Sequence, residues 1–287
     1  MARILVAGAT GNLGKQIVAE LKKQNHWVRA LTRKPMRLFP MADEVVGGDL
    51  NLVHSLNAAC GNIDIIISAA GASVNPSLAR KEGDYNSIDY QGHRNLLRVA
   101  GNSGIKRFIY VSVFSTPALQ HLEYISAHTR FADELKAAGL SYAIIQPTGF
   151  FSSFDAILDI AAAGIAPLIG DGNAVTNPIH EADLARVCVD AIDGPNREIP
   201  VGGPEIFTRK QIFELAFRIL NKKPRFIRVP GAAISAQSRI MSYFNPRVSQ
   251  LLLFLQQVSK VDVVAPASGS HRLGTYFEEK VSVTANS

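Results

Sequence analysis

The sequence has few cysteines: Cys60 and Cys188 are the only two among its 287 residues. They are far apart and lie in apolar helical patterns, so they offer neither a CxxC metal site nor a disulfide framework. The histidines show no metal-ligand spacing either, and we expect no metal site. We interpret both cysteines as core residues of a protein from a reducing compartment.

The sequence also lacks an apolar run long enough to cross a bilayer. Its most hydrophobic segments, residues 156–170 and 248–258, are too short or too interrupted, and the first residues, MARILVAGAT, do not resemble a signal peptide. We therefore expect a cytoplasmic protein without a transmembrane segment. The apolar residues 251–255 could contact a protein partner or a membrane surface, but their length and periodicity favour a packed C-terminal helix.

Basic residues are not gathered into one stripe. The formal charge of +6 is spread along the chain, whereas a nucleic-acid binder usually concentrates Lys and Arg among aromatic residues. We expect no nucleic-acid partner, and the basic balance suits a small anionic ligand such as a phosphate-bearing cofactor. With 47% hydrophobic and 19% charged residues and no internal repeat, the composition is typical of a folded globular protein.

The chain alternates short apolar runs with helical patterns, which predicts an α/β fold with a doubly wound parallel sheet. We expect residues 1–150 to form the first domain and residues 151–287 a smaller substrate-binding lobe, with some elements returning to the sheet. Strands are predicted at 3–8, 27–33, 43–49, 64–70, 107–113 and 141–147, and helices at 12–24, 86–104 and 117–139. Later helices are predicted at 181–193, 208–221 and 245–258, strands near 197–203 and 225–230, and a frayed tail from residue 277.

The stretch ILVAGATGNLGKQIV carries the strongest functional signal. Gly8, Gly11 and Gly14 follow a strand and open a helix, as a dinucleotide site requires. Glycine lets the chain turn at Gly8, the backbone approach a pyrophosphate at Gly11, and the helix pack closely at Gly14. The helix N-terminus presents N–H groups to the phosphates, so we interpret residues 1–150 as a Rossmann domain. The predicted contacts also include Thr10, Asn12 and Leu13.

The end of the second strand indicates which dinucleotide binds. An acidic residue there would favour NAD, but the sequence reads ALTRKP, and Arg33 with Lys34 can hold a 2′-phosphate. We therefore expect NADP(H) to be preferred over NAD(H), unless this pair is an ordinary solvated loop. Two further strand ends are predicted to meet the cofactor, or else only to pack tightly. They are Asp49 and Leu50 beside the adenine, and Ala69, Ala70 and Gly71 beside the ribose and diphosphate.

These motifs resemble the short-chain dehydrogenase/reductase superfamily, particularly its atypical members related to NmrA and isoflavone reductase. GATGNLG is similar to the nucleotide fingerprint of that group, and GIKRFIYVSVFS to its fifth strand. ELKAAGLSYAIIQPTGFF is similar to its segment entering the nicotinamide pocket, and NPIHEADLARVCVDAI to a later strand and helix. The resemblance covers almost the whole chain and implies an NAD(P)-binding protein, but it does not specify one activity.

The catalytic residues of that superfamily carry over in part. The resemblance implies that Ser112 or Ser115 positions a carbonyl and that Tyr124 transfers the proton, while His128 stands where the family has a lysine. The spacing of four places Tyr124 and His128 on one helix face. Because a neutral histidine cannot lower the tyrosine pKa as a lysine does, we expect a weakened proton relay, with His128 contacting the cofactor ribose. The alternative is a packed helix tyrosine.

The segment QPTGFF is predicted to lie beside the nicotinamide. Pro147 and Phe150 are candidate cofactor contacts, and Phe150 with Phe151 could wall an apolar substrate pocket. Core packing accounts for either phenylalanine equally well. His180, which precedes a predicted helix, is a candidate cap or lobe contact rather than a base.

Together these features predict an NADP(H)-binding oxidoreductase that reduces a small apolar carbonyl, enone or quinone. The alternative is a catalytically weak NmrA-like protein that senses the redox state of the cofactor or helps to assemble a partner. A sugar-nucleotide epimerase or dehydratase is a third interpretation, which the missing lysine disfavours.

Overall fold

The protein is built on one parallel sheet with helices on both sides. The computed structural model describes residues 1–33, 41–72 and 84–285. The strands are β1 (Arg3–Ala7), β2 (Trp27–Thr32), β3 (Glu44–Gly47), β4 (Ile65–Ser68), β5 (Arg107–Val111), β6 (Ser141–Pro147), β7 (Ala166–Ile169), β8 (Val175–Thr176), β9 (Arg197–Val201), β10 (Phe207–Thr208) and β11 (Phe226–Val229). The helices are α1 (Asn12–Lys23), α2 (Val53–Cys60), α3 (His93–Asn102), α4 (Glu123–Ala137), α5 (Asp155–Ala163), α6 (Glu181–Asp190), α7 (Arg209–Ile219), α8 (Gly231–Phe244), α9 (Pro246–Val258) and α10 (Leu273–Ala285). A π-helical segment, Asn86–Gly92, leads into α3.

The central sheet has seven strands in the order β3-β2-β1-β4-β5-β6-β9, and every neighbouring pair is parallel. The chain winds outward from β1 to β3, returns to β4 beside β1, and then winds outward in the other direction. The topological switch point therefore lies between β1 and β4, where open α/β sheets bind ligands. The predicted doubly wound Rossmann fold is confirmed.

Helices bury both faces of the sheet, as its continuously apolar strands require. The core on one face contains residues of α1 and α6, and the core on the other face contains residues of α2, α3 and α4. Cys188 lies in the first core and Cys60 in the second, and both are fully buried. Burial raises the pKa of their thiols to about 12 and about 11, respectively. The prediction that both cysteines are core residues is therefore confirmed.

Most elements after β6 form further layers. Helices α5, α7 and α10 share a separate core, beside the two-stranded pairs β7–β11 and β8–β10. Helix α8 packs along α9, and α9 contacts α4. Strand β9 and helix α6 belong to the main sheet and its core, so a separate lobe over residues 151–287 stays a prediction.

Helix α10 contradicts the predicted frayed tail. It extends to Ala285, and its residues Leu273 and Phe277 are fully buried against the core shared with α5 and α7. Two apolar side chains four residues apart anchor a helix whose other residues are mostly polar. The sequence patterns also failed to predict α2, α5 and α8. Within the described ranges, no helix is long and apolar enough to cross a membrane.

Candidate functional site

The loop between β1 and α1 requires glycine at two positions. Gly8 has a φ of 77°, in the left-handed region, and a Cβ there would lie 2.6 Å from the backbone nitrogen of Ala70. A Cβ on Gly14 would lie 2.1 Å from the carbonyl oxygen of Gly8. Gly11 closes the turn by donating its N–H to the same oxygen at 3.0 Å. The glycines thus bring strand, turn and helix into backbone contact.

The first turn of α1 offers backbone N–H groups to an anion. Gly11 occupies the N-cap position without a side-chain hydrogen bond, and the first turn contains no acidic residue. Thr10, Gly11 and Asn12 are exposed, whereas Leu13 and Gly14 are buried. A helix end of this kind binds phosphate through its N–H groups and its dipole. The loop therefore fits the pyrophosphate of a dinucleotide, to which the buried Leu13 can offer only its backbone.

The residues after β4 lie against this loop. Because β4 pairs with β1, the backbone of Ala69 and Ala70 approaches Gly8, which confirms close packing at this strand end. Gly71 is exposed, and a Cβ there would lie 3.1 Å from the carboxylate of Asp89. Small residues at this strand end suit a ribose and diphosphate beside the switch point, but contacts of Ala69, Ala70 and Gly71 with the cofactor stay predictions.

The ends of β2 and β3 contain the residues predicted to recognise the adenosine part. Arg33 is exposed at the end of β2, which pairs with β1, while Lys34 lies outside the described residues. Asp49 accepts the N–H of Asn51 at 2.9 Å, so its carboxylate already organises a turn. Leu50 is half-buried against the core. The contacts of all four predicted residues with a cofactor stay predictions.

A cavity of about 330 Å³ lies where β5 and β6 end. Its walls come from the ends of these strands and from α4, α5, β7, α7 and α9, and most of its lining side chains are apolar. Its polar or charged lining residues are Ser112, Tyr124, Thr148, Ser153, Arg209 and Ser259. Such a concave, mostly apolar space with a few polar groups is typical of a small-molecule site.

The structure brings together some of the predicted site residues and separates others. Ser112, Tyr124, Pro147 and Phe150 all line the cavity. Phe151 is buried in the core of the later elements instead.

Two predicted catalytic residues are not on the cavity wall. The hydroxyl of Ser115 donates to the carbonyl oxygen of Thr116 at 3.2 Å, and Ser115 is not among the lining residues. Of the two candidate serines, Ser112 is therefore the one beside Tyr124 in the cavity lining. His128 is 4% exposed and likewise absent from the lining. Its ring meets that of Tyr124 edge-on, with centroids 4.8 Å apart.

A chain of buried polar side chains lies behind Tyr124. Nδ1 of His128 hydrogen-bonds the hydroxyl of Tyr110, and its Nε2 lies 3.7 Å from Oδ1 of Asp89. The ring of Tyr110 in turn contacts His93, whose Nε2 hydrogen-bonds the hydroxyl of Ser68 at 2.9 Å. His128 is therefore held by the protein's own groups.

Burial keeps His128 and His93 neutral near pH 7. It lowers the pKa of His128 to about 3, with a smaller contribution from His93, and it lowers the pKa of His93 to about 4. Burial, followed by the Asp89 carboxylate, raises the pKa of Tyr124 well above its ordinary value. Neither neutral histidine gives Tyr124 the positive charge that would lower its pKa, and the charge of Arg247, which acts in that direction, is outweighed by burial and Asp89.

The sequence interpretation missed Asp89, His93 and Tyr110. Asp89 is fully buried, and it accepts the N–H of Ala72 at 2.9 Å. The available signal was the spacing of four between Asp89 and His93, which places both on one helix face. That spacing is equally typical of a solvated helix face, so it could not have identified the network.

The apolar residues 251–255 are not an exposed docking face. Leu251 is 3% exposed, and Phe254 lines the cavity and packs edge-on against Tyr124 with centroids 5.1 Å apart. The alternative, a packed helix, is confirmed, because Leu251 is buried and Phe254 and Leu255 line the cavity. His180 caps α6, as predicted, by accepting the N–H of Ala182 on Nδ1 at 3.1 Å.

The sequence pattern of a family described as NAD(P)H-binding matches residues 8–195. This match confirms the resemblance to atypical short-chain dehydrogenases/reductases. Among solved structures, the NADPH-dependent quinone oxidoreductase QOR2 of Escherichia coli, complexed with NADPH, superposes with a TM-score of 0.75. It is 18% identical, and the superposition covers 99% of this chain and 100% of that one, so it shows the fold alone.

Two groups of curated relatives are similar to the chain. The chloroplastic divinyl chlorophyllide a 8-vinyl-reductase of Cucumis sativus is 30% identical over 79% of this chain, but the match spans only 59% of that protein's length. The photosystem II assembly factor Ycf39 of Synechocystis is 26% identical, and the match covers 85% of this chain and 75% of that protein. The relatives thus include both a reductase and an assembly factor.

Proposed function

The chain belongs to the NAD(P)H-binding family, and we propose that it is an NADPH-dependent oxidoreductase for a small, mostly apolar carbonyl, enone or quinone. The observation that carries the proposal is the apolar cavity of about 330 Å³. It opens at the ends of β5 and β6, at the same edge of the sheet as the glycine loop. A cofactor held by that loop and an acceptor in the cavity would therefore be neighbours.

Among these acceptors we favour the conjugated ones, enones and quinones. The bound cofactor would supply the hydride. Ser112 and Tyr124, both in the cavity lining, can donate hydrogen bonds to the acceptor oxygen, where negative charge develops. An enone or quinone spreads that charge over several atoms, so a tyrosine with a raised pKa, or water, is acid enough to deliver the proton. A simple ketone needs a stronger proton donor.

The relatives support this preference to a limited degree. The cucumber protein is named a vinyl-reductase, and reduction of a vinyl group acts on a carbon–carbon double bond. The Escherichia coli protein is named a quinone oxidoreductase. The first match spans 59% of that relative, and the second shares only 18% identity. Both names therefore support reduction of a conjugated acceptor, but neither identifies the substrate of this protein.

NADPH is the proposed cofactor because Arg33 stands at the end of β2, where NAD-binding proteins often carry an acidic residue. A guanidinium can grip a 2′-phosphate with two parallel hydrogen bonds. Lys34, outside the described residues, follows it in the sequence. The cytoplasmic location stays a prediction, since one of the similar proteins is chloroplastic.

The test is to measure NADPH and NADH binding and then NADPH oxidation at 340 nm with menadione, duroquinone and cyclohexenone. We expect tight NADPH binding and turnover of at least one acceptor. Tyr124→Phe should lower kcat less than about tenfold, because an unactivated tyrosine contributes little general-acid catalysis. Failure to bind either nucleotide would contradict the proposal at its first step.

The second candidate is a nucleotide-binding sensor or assembly factor with weak catalysis. The neutral histidines and the raised pKa of Tyr124 favour it, and so does the similarity to Ycf39. Tyr243 and Phe244, at the end of α8, are 85% and 81% exposed and could contact a partner, unlike residues 251–255. Nucleotide binding without turnover of any acceptor would favour this candidate over the oxidoreductase.

A further inference from the structure

Arg209 is the one charged residue among the described residues that line the cavity. Its side chain is partly buried, its Nε atom is fully buried without a hydrogen bond, and none of the ion pairs among the described residues involves it. Burial lowers its pKa to about 10, so the side chain still carries its charge at neutral pH. A partly buried cation with a buried, unsatisfied Nε is unfavourable in a folded protein.

Two of the buried arginines, Arg29 and Arg107, are held by hydrogen bonds, and a third, Arg247, lies over the Tyr85 ring at 3.8 Å although its Nε makes no hydrogen bond. Arg29 donates to the carbonyl oxygens of Ala59 and Gly61 at 2.9 and 2.7 Å, and it pairs with Glu44. The guanidinium of Arg107 donates to several carbonyl oxygens near α6, among them that of Ala191 at 2.9 Å. Arg209 differs from all three in lining the cavity, and no hydrogen bond or ring contact is seen for its guanidinium among the described residues.

The backbone around Arg209 adds positive potential. Arg209 is the first residue of α7, and the first turn of that helix contains no acidic residue. The positive end of a helix dipole disfavours a cation and favours an anion. Asp262, the acidic group that acts on Arg209 over a distance, is exposed and already accepts the N–H of Val175 at 2.9 Å. Lys210, the next residue, pairs with Glu214 at 3.2 Å.

We propose that Arg209 binds a carboxylate of the substrate, so that the substrate is an apolar molecule carrying an acid group. The guanidinium fork matches a carboxylate with two parallel N–H···O bonds, and the surrounding apolar wall would hold the rest of the molecule. This assignment rests on the proposed function, in which the cavity holds the substrate. It adds a substrate class, and Arg209 becomes the residue that determines specificity.

The test compares two probes of nearly equal shape, anthracene-2-carboxylate and its neutral amide, anthracene-2-carboxamide. Their fluorescence is titrated against the full chain in the presence of saturating NADPH. We expect the carboxylate to bind at least about tenfold more tightly than the amide, since a hydrogen bond between charged groups contributes more than one between neutral groups. Equal affinities, or no binding of the carboxylate, would overturn the proposal.

Three variants test whether the preference for the carboxylate probe comes from Arg209 itself. Arg209→Met keeps the apolar stem and should weaken carboxylate binding by about 10- to 100-fold while the amide changes little. Arg209→Lys should recover part of the loss, and Lys210→Met, in which the neighbouring and already paired cation is removed, should match the wild type. An equal loss for both probes in Arg209→Met would contradict a carboxylate site.

Two further readouts distinguish a carboxylate site from a structural or cofactor-binding role of Arg209. Without ligand, Arg209→Met should melt at the same or a higher temperature than the wild type, because a partly buried charge without an ion pair is removed. The carboxylate probe should raise the melting temperature of the wild type alone. A weaker affinity for NADPH in Arg209→Met, with unchanged probe binding, would assign Arg209 to a cofactor phosphate and overturn the proposal.

The experiments distinguish a failure of the carboxylate site from a failure of the proposed function. Turnover of neutral quinones without discrimination between the two probes would leave the oxidoreductase standing and overturn the carboxylate site. Discrimination between the probes without oxidation of NADPH by any acceptor would support the carboxylate site and contradict the oxidoreductase.

Discussion

The glycine loop and the cavity differ in how the chain builds them. The loop is one contiguous stretch, and its geometry follows from backbone contacts among Gly8, Gly14 and the end of β4. The cavity is assembled from strand ends and helices between residues 112 and 263. The local sequence therefore specifies the geometry of the loop, whereas the shape of the cavity depends on how distant segments pack. This difference predicts that the two sites can be damaged separately.

The largest expected effect comes from the loop. Gly14→Ala places a Cβ 2.1 Å from the carbonyl oxygen of Gly8, so α1 must move away from the sheet. We expect NADPH affinity to fall at least about 100-fold, because the pyrophosphate contacts depend on that helix end. Isothermal titration calorimetry would measure the loss.

Gly101→Ala is the matched control for the loop variant. Gly101 lies in α3, and a Cβ there meets no atom within 4 Å. Alanine is the better helix former by about 1 kcal/mol, so this variant should be at least as stable as the wild type and bind NADPH normally. Unchanged NADPH affinity in Gly14→Ala would show that the loop is not the pyrophosphate site.

The second prediction damages the cavity without damaging the loop. Ala156, on α5, lines the cavity, and Ala156→Trp should fill part of it. We expect kcat/KM for a quinone to fall at least about tenfold while the Kd for NADPH stays within about twofold, because the loop is untouched. Ala163→Trp, at the exposed end of the same helix, is the control and should behave like the wild type. A parallel loss of NADPH binding in Ala156→Trp would mean that the two sites are not separable.

The third prediction tests whether Arg33 recognises the 2′-phosphate of NADPH. Arg33→Ala should weaken NADPH by about tenfold and leave NADH nearly unchanged, since a charge-assisted pair with the 2′-phosphate is lost. Exposed Arg186 on α6 is a control cation on another element, and Arg186→Ala should change neither Kd. Equal losses for the two nucleotides in Arg33→Ala would remove the assignment of the 2′-phosphate to this residue.

The fourth and smallest effect concerns the polar chain behind Tyr124. The pKa of His128 is about 3 in the folded protein and about 6.5 in an unfolded chain, so the unfolded state takes up the proton first as the pH falls. The stability that neutral His128 contributes is complete above pH 6.5 and is lost between pH 6.5 and 3. For each proton that the unfolded state binds and the folded state does not, the free energy of unfolding falls by about 1.4 kcal/mol per pH unit of acidification.

The measurement for this prediction is the slope of the unfolding free energy between pH 7.5 and 5. His128→Gln removes the titrating group and should make that slope shallower by up to about one proton, while His93 continues to contribute. His121→Gln, at an exposed position just before α4, is the control. An identical slope in His128→Gln and the wild type would mean that His128 is not kept neutral by the fold.

The contrast between the contiguous glycine loop and the cavity assembled from distant segments also explains which features could be predicted from the sequence. The glycine motif and the apolar strands are local patterns, and they led to the loop, to β1 through β6 and to the doubly wound sheet. Ser112, Tyr124, Pro147 and Phe150 were found because a family resemblance placed them at the ends of β5 and β6 and on α4.

The remaining features depend on packing between distant residues. Arg209 follows a helix cap in the sequence, and no local pattern shows that its guanidinium lacks a partner. The burial of Asp89 depends on how the π segment meets α4. Helix α10 is held by two apolar residues within a mostly polar stretch. The expectation that His128 contacts the cofactor came from the family lysine and stays a prediction, whereas the contacts of its ring with Tyr110 and Tyr124 depend on packing that no local pattern shows.

The central claim is that the loop holds NADPH so that its nicotinamide meets an acceptor in the cavity. Deuterium transfer tests this claim most directly. An enone should be reduced with NADPH deuterated on one face of the nicotinamide C4, and separately on the other, and the product examined by mass spectrometry and NMR. Direct transfer predicts deuterium on the product carbon from one of the two labelled cofactors only. Product formed without carbon-bound deuterium from either cofactor would contradict the account.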